Sequence, residues 1–112
     1  MTDQEQSREQ IRGAVRDLCT RFGSDYWQKQ DEVRAYPEAF VAALTEAGWL
    51  SALIPEEFGG PGLGLTEASI ILEEVNRSGG NSGACHAQMY IMGTLLRHGS
   101  DAQKKKYLPE IA

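Results

Sequence analysis

The chain has 112 residues, enough for one domain with a modest hydrophobic core. Eleven Lys and Arg against sixteen Asp and Glu give a net charge of -5, which argues against a nucleic-acid binder and against an anionic membrane surface as partner. The polar N-terminus shows no secretory signal, and no apolar run approaches the ~20 residues of a membrane span. The expected compartment is therefore cytoplasmic, where Cys19 and Cys85, far apart and without a spacing pattern, are compatible with buried thiols; a disulfide between them stays open.

In chain order, Ile11, Val15, Leu18 and Phe22 fall at i, i+4, i+7 and i+11 and predict an amphipathic helix over about 4–22. Arg8, Arg12 and Arg16 form a ridge beside that stripe. A basic ridge can hold an acidic partner, but Glu5, Glu9 and Asp17 lie within i,i+3 or i,i+4 reach, so the ridge is read as a solvated face. Gly13 costs this helix ~1 kcal/mol against alanine, and Gly23 ends it. Residues 24–35 carry only Tyr26 and Trp27 as large apolar groups and read as a loop or short irregular helix. A second helix over about 37–47 opens on Tyr36-Pro37, with the proline in its first turn, and buries Phe40, Val41, Leu44 and Ala47. Gly48 is its C-terminal cap.

The stretch from Gly48 to Leu65 organises the rest. Trp49, Leu50, Leu53 and Ile54 are too short a run for a helix, and Pro55 holds Ile54 extended. Glu56-Glu57-Phe58 follow, then glycines at 59, 60, 62 and 64 around Pro61, a loop of defined shape with Phe58 as apolar anchor. Gly59 and Gly60 are expected to hold backbone angles that branched residues reach poorly. A phosphate cradle is disfavoured: Gly60-x-Gly62-x-x-Leu65 lacks the third glycine, no strand precedes it and no Lys-Ser/Thr follows it.

A third helix over about 66–78, capped by Thr66, turns Ile70, Ile71, Val75 and Leu72 inward and Glu73, Glu74 and Arg77 outward. Ser78-Gly79-Gly80-Asn81 breaks it. The fourth helix, about 82–98, carries two apolar stripes, Cys85-Met89-Met92-Leu96 and Ala84-Ile91-Leu95. Between them run Ser82, His86, Tyr90 and Gly93, small or polar at the same spacing. That stripe either lines a cavity or meets solvent and neighbouring helices. A capping box, Ser100 with Gln103, opens a fifth helix over about 101–108 that ends before Pro109, and Lys104-Lys105-Lys106 are read as complementing its dipole. No metal-ligand cluster and no nucleophile–base–acid set is legible: Cys85 and His86 are adjacent and diverge, and His98 sits at a helix end. The fold class is all-α, an orthogonal or up-down bundle of about five helices.

Three stretches together resemble the N-terminal α-helical domain of the acyl-CoA dehydrogenase family. They are Gly48-Trp49-Leu50 with Ile54-Pro55-Glu56-Glu57-Phe58-Gly59-Gly60-x-Gly62, then Leu72-Glu73-Glu74-Val75, then Gly99-Ser100-Asp101-Ala102-Gln103-Lys104-Lys105-Lys106-Tyr107-Leu108-Pro109. The resemblance covers essentially the whole chain and implies residues 1–112 as one helical domain, without the family's middle β-domain and C-terminal helical domain.

The resemblance implies, for a complete enzyme, α,β-dehydrogenation of an acyl-CoA thioester with FAD as hydride acceptor, the base and most of the flavin site lying outside this chain. It implies the remaining domains of the same enzyme and a homotetramer as partners. It also implies a wall of the acyl pocket on the fourth helix, at Ser82, Gly83, His86, Ala87 and Tyr90. No catalytic, cofactor-binding or metal residue is expected in the chain itself. His86 and Tyr90 are bulky enough to shorten the pocket or to meet a polar acyl group. The competing expectation is a non-catalytic helical module that binds a partner helix or a lipid chain.

Overall fold

The computed structural model describes residues 2–112, which form six α-helices: α1 (Asp3–Cys19), α2 (Ser24–Val33), α3 (Glu38–Glu46), α4 (Leu65–Arg77), α5 (Gly83–His98) and α6 (Asp101–Ile111). Two single 3-10 turns, Trp49–Ser51 and Glu56–Phe58, bridge α3 to α4, and the described residues contain no strand. The all-α expectation holds, with one helix more than the sequence suggested. Val15, Leu44, Ile54, Ile71, Val75, Met92 and Leu108 are fully buried and draw the helices and the glycine loop into one core. The body is a slab, 43 × 39 × 19 Å. Its radius of gyration of 14.7 Å exceeds the roughly 13 Å of a rounder chain of this length. A slab this thin leaves broad helix faces uncovered.

α1 begins with a capping box, Thr2 accepting from Glu5 N–H and Glu5 from Thr2 N–H. It stops at Cys19, three residues short of the expected end, and Gly23 caps α2 instead. The additional helix, α2, buries no residue of its own, which is why hydrophobic period did not reveal it. Aromatic packing holds it. Phe22, Tyr26, Trp27 and Phe40 meet edge to face at centroid distances of 4.9–5.3 Å, and the Trp27 indole donates to the Phe22 carbonyl at 3.0 Å. In α3 the apolar face is Phe40, Ala43 and Leu44; Ala47, expected inside, is exposed beside the cap at Gly48 (φ 84°).

α4 packs along α1, and the two helices share an ion-pair system that corrects two expectations. Glu74 was expected to face out, but it is buried at 2% exposure and joined to both Arg12 and Arg16. Arg12 Nη1 donates to it at 2.8 Å; Arg16 donates through Nη2 at 3.0 Å and Nε at 3.2 Å. Arg12 also reaches Glu73 at 3.1 Å, and Arg8 lies 3.9 Å from Glu67. The arginine ridge is therefore a clamp onto α4 rather than a solvated face, although Arg12 keeps one weak pair with Glu9 at 3.9 Å. Thr66 does not cap α4, which opens one residue earlier, behind Gly64, without a side-chain cap.

The loop is laced internally. Gly62 N–H donates to the Ile54 carbonyl at 2.8 Å, Leu63 N–H to that of Ala52 at 2.9 Å and Gly60 N–H to that of Pro55 at 3.2 Å. Gly59 adopts φ 93°, as expected, but Gly60 does not take a left-handed angle. Its constraint is close approach, because a Cβ there would lie 2.2 Å from the Ile54 carbonyl oxygen. α6 starts on the expected Ser100–Gln103 capping box but runs through Pro109 to Ile111, with Ala112 N–H bonded to the Leu108 carbonyl. The proline forfeits one helix bond near the end, where little helix remains to lose. Lys104, Lys105 and Lys106 consequently lie mid-helix, and the last turn holds no basic residue, so the dipole does not account for them.

Candidate functional site

α5 enters from the Ser78–Asn81 break and spans the slab. Cys85, Met89 and Met92 form its buried stripe, as the spacing suggested, while Leu96, expected in the same stripe, is only half-buried. Burial, with the neighbouring Cys19, pushes the Cys85 thiol up to about 11, and burial raises Cys19 as well. Both are free, buried thiols in the core and poor nucleophiles at neutral pH. Among the described residues no three His, Cys, Asp or Glu side chains gather as a metal site. The one buried carboxylate among the described residues, Glu74, is held down to about 2 by the guanidinium hydrogen bonds of Arg16 and Arg12 against the opposing effect of burial. A carboxylate so stabilised in its charged form is a weak base, and its role is structural.

The stripe beside the buried face divides into partnered and unpartnered groups. Ser82 caps α5 and its hydroxyl donates to Asn76 Oδ1 at 3.0 Å. Gly83 N–H donates to Asn81 Oδ1 at 2.8 Å. Ala87 is half-buried. His86 is exposed, and one turn on Tyr90 is 57% exposed; their rings pack edge to face at 5.3 Å and 68°. Neither the imidazole nor the phenol hydroxyl has a hydrogen-bond partner among the described residues.

Tyr90 also edges an open groove of about 590 Å³, lined by Leu53, Leu63, Leu65, Leu96, Arg97 and His98 among others. Leu65 is 77% exposed and Ile91, beside Tyr90 on α5, 43%. Of the five residues singled out from the sequence, Ser82, Gly83, His86, Ala87 and Tyr90, only Tyr90 lines this groove; the others continue the same helix face toward its N-terminus. Sequence reasoning missed Leu53, Leu63 and Leu65 as groove residues. Their signal was present only as leucines inside the glycine loop, and the fold of that loop is what carries them to α5.

The glycine loop cannot supply a phosphate cradle. Its Gly59, Gly60, Gly62 and Leu63 N–H groups all donate to the loop's own carbonyls. No helix among the described residues is long and apolar enough to cross a membrane. What the arrangement can do is cover a ligand: one uncovered helix face, two outward rings and an apolar groove.

The family model for the N-terminal domain of acyl-CoA dehydrogenases matches residues 5–112. Acyl-CoA dehydrogenase FadE12 of Mycobacterium tuberculosis is 31% identical over 117 aligned residues, covering 100% of this chain and 30% of the relative. The probable acyl-CoA dehydrogenase FadE25 of Mycobacterium leprae is 32% identical over 92% of this chain and 27% of its own. Glutaryl-CoA dehydrogenase of Desulfococcus multivorans is 34% identical over 94% of this chain and 27% of its own. The chain thus spans about 30% of the length of the curated relatives it matches.

Proposed function

Because the chain belongs to the acyl-CoA dehydrogenase family, through the family's N-terminal domain, we propose that it forms one wall of the acyl pocket in an FAD-dependent dehydrogenase of acyl-CoA thioesters. The observation that supports this reading is the uncovered face of α5, where Tyr90 meets the exposed Leu65 across an apolar groove. Single exposed apolar residues are ordinary, but a groove lined by four leucines beside two outward aromatic rings is a surface suited to being covered.

In this reading Ser82, Gly83, His86, Ala87 and Tyr90 face the acyl group. They exclude water from it and hold its Cα–Cβ bond in place, while groups elsewhere remove the α-proton. A flavin held elsewhere in such an enzyme would supply the hydride acceptor for the Cβ side of that bond. The glycine loop does not fit the flavin pyrophosphate, since its N–H groups are spent internally. The flavin site and the base are accordingly assigned to the family's middle β-domain and C-terminal helical domain, with residues 1–112 as a single helical domain of a cytoplasmic homotetramer.

The test is the flavin-loaded enzyme carrying this chain as its first domain, assayed with a panel of acyl-CoA thioesters and an artificial electron acceptor. Turnover with at least one of them, its kcat/KM changed by substitution at Tyr90, is the expected result. A tetrameric, flavin-bearing enzyme that oxidises none of them would overturn the assignment and leave the non-catalytic helical module in its place.

A further inference from the structure

We propose that the His86–Tyr90 pair selects an acyl group bearing an oxygen near its end, over a saturated alkyl chain. The inference rests on the pocket-wall reading and names the substrate class that this wall would accept.

Its basis is the hydrogen-bond accounting along α5. The Ser82 hydroxyl already donates to Asn76 and Gly83 N–H to Asn81, so neither has a donor left for an acyl oxygen. The Thr94 hydroxyl is likewise consumed by the Tyr90 carbonyl at 2.7 Å. Within that stripe His86 and Tyr90 are the exceptions, exposed and without a hydrogen-bond partner among the described residues, while Gln88, Arg97 and His98, equally without one, lie off the stripe. Edge-to-face packing sets the two rings on consecutive turns and restricts both. Methylene groups laid over this pair would strip water from an imidazole and a phenol and give nothing back, which is the penalty of an unsatisfied buried polar group.

An acyl oxygen removes that penalty by accepting from the phenol O–H or an imidazole N–H. Charge points the same way. The groove edged by Tyr90 is lined by Arg97 and His98 and by no Asp or Glu, although the whole chain carries net charge -5. Sites built to bond a substrate oxygen reject analogues that lack it, and by larger factors than apolar pockets reject an extra methylene.

The experiment compares kcat/KM of the flavin-loaded enzyme for length-matched acyl-CoA thioesters with methyl, hydroxyl and carboxylate ends. Titration calorimetry of non-oxidisable thioether analogues gives a binding readout independent of turnover. The parent enzyme should favour an oxygen-bearing end by about tenfold or more. His86→Leu with Tyr90→Phe should cancel or reverse that ranking in both assays, with helical circular dichroism unchanged. The hydroxyl and carboxylate arms separate a neutral acceptor from an anionic one. Parent preference for the methyl-ended series, or variants that lower all substrates by one common factor, would overturn the inference and leave the pocket wall standing. Absence of turnover and binding with every acyl-CoA would remove the pocket wall and this inference with it.

Discussion

Adding one methyl group at Gly60 tests whether the loop organises the fold. A Cβ there would lie 2.2 Å from the Ile54 carbonyl oxygen, 2.5 Å from its Cβ and 2.7 Å from its carbonyl carbon. Carbon contacts normally settle near ~3.5 Å, so the two facing segments of the loop must part by about 1 Å. Neither side can yield freely. The Ile54 side chain is fully buried, and its carbonyl accepts the Gly62 N–H at 2.8 Å. Overpacking of this kind costs ~1–3 kcal/mol, and weakening the Gly62 bond adds ~1 kcal/mol. Gly60→Ala should thus destabilise by about 2–4 kcal/mol, and Gly60→Val by more. In a domain of this size that lowers the melting midpoint by roughly 10–20 °C. Urea and thermal unfolding followed by circular dichroism would measure it. Two controls bracket the result. At Gly64 the nearest atom to a new Cβ is Glu67 Oε2 at 3.7 Å, so Gly64→Ala should stay within ~0.5 kcal/mol of the parent. At Gly13, inside α1, nothing lies within 4 Å, so Gly13→Ala should stabilise by ~0.5–1 kcal/mol. A Gly60→Ala midpoint equal to that of Gly64→Ala would refute the close-packing account and the loop's organising role.

The α1–α4 clamp predicts an acid-sensitive fold. Glu74 sits at about 2 when folded, below its ordinary 4.5, so its contribution is complete above about pH 4.5 and is lost as pH falls toward 2. Glu74→Gln should flatten that part of the stability–pH curve; an unchanged curve would show that other carboxylates govern acid unfolding. Glu74→Ala, which leaves two guanidinium groups without their shared partner, should cost about 2–3 kcal/mol in urea unfolding at pH 7, and a loss under ~0.5 kcal/mol would show the clamp to be idle. The purified chain by itself should be colourless, since the loop's N–H groups are already used; flavin absorbance that survives gel filtration would contradict this. With Leu65, Tyr90 and Ile91 exposed, it should also bind a hydrophobic dye or self-associate while remaining helical, and monomeric, dye-negative protein would mean that the α5 face needs no cover.

Periodicity and punctuation determined much of the architecture from sequence alone. The Ile11–Val15–Leu18 stripe, the Gly48 cap, the Ser100–Gln103 capping box and the Cys85–Met89–Met92 face are local patterns, and each acts within one or two helical turns. Tertiary contacts decided the rest. α2 has no buried stripe to read and exists because Tyr26 and Trp27 pack on Phe22 and Phe40. Glu74 looked like an outward residue because its partners Arg12 and Arg16 are 62 and 58 positions away, and only the packing of α4 along α1 makes its burial affordable. Gly60 is required by Ile54 across the loop, not by its own backbone angle. The candidate site divides in the same way. The His86–Tyr90 spacing was legible because one helix carries both, whereas the groove was not, because Leu53, Leu63 and Leu65 reach Tyr90 only after the glycine loop has folded back against α5. A sequence lists neighbours along the chain, while burial, charge pairing and groove walls depend on neighbours in space, which long-range packing supplies.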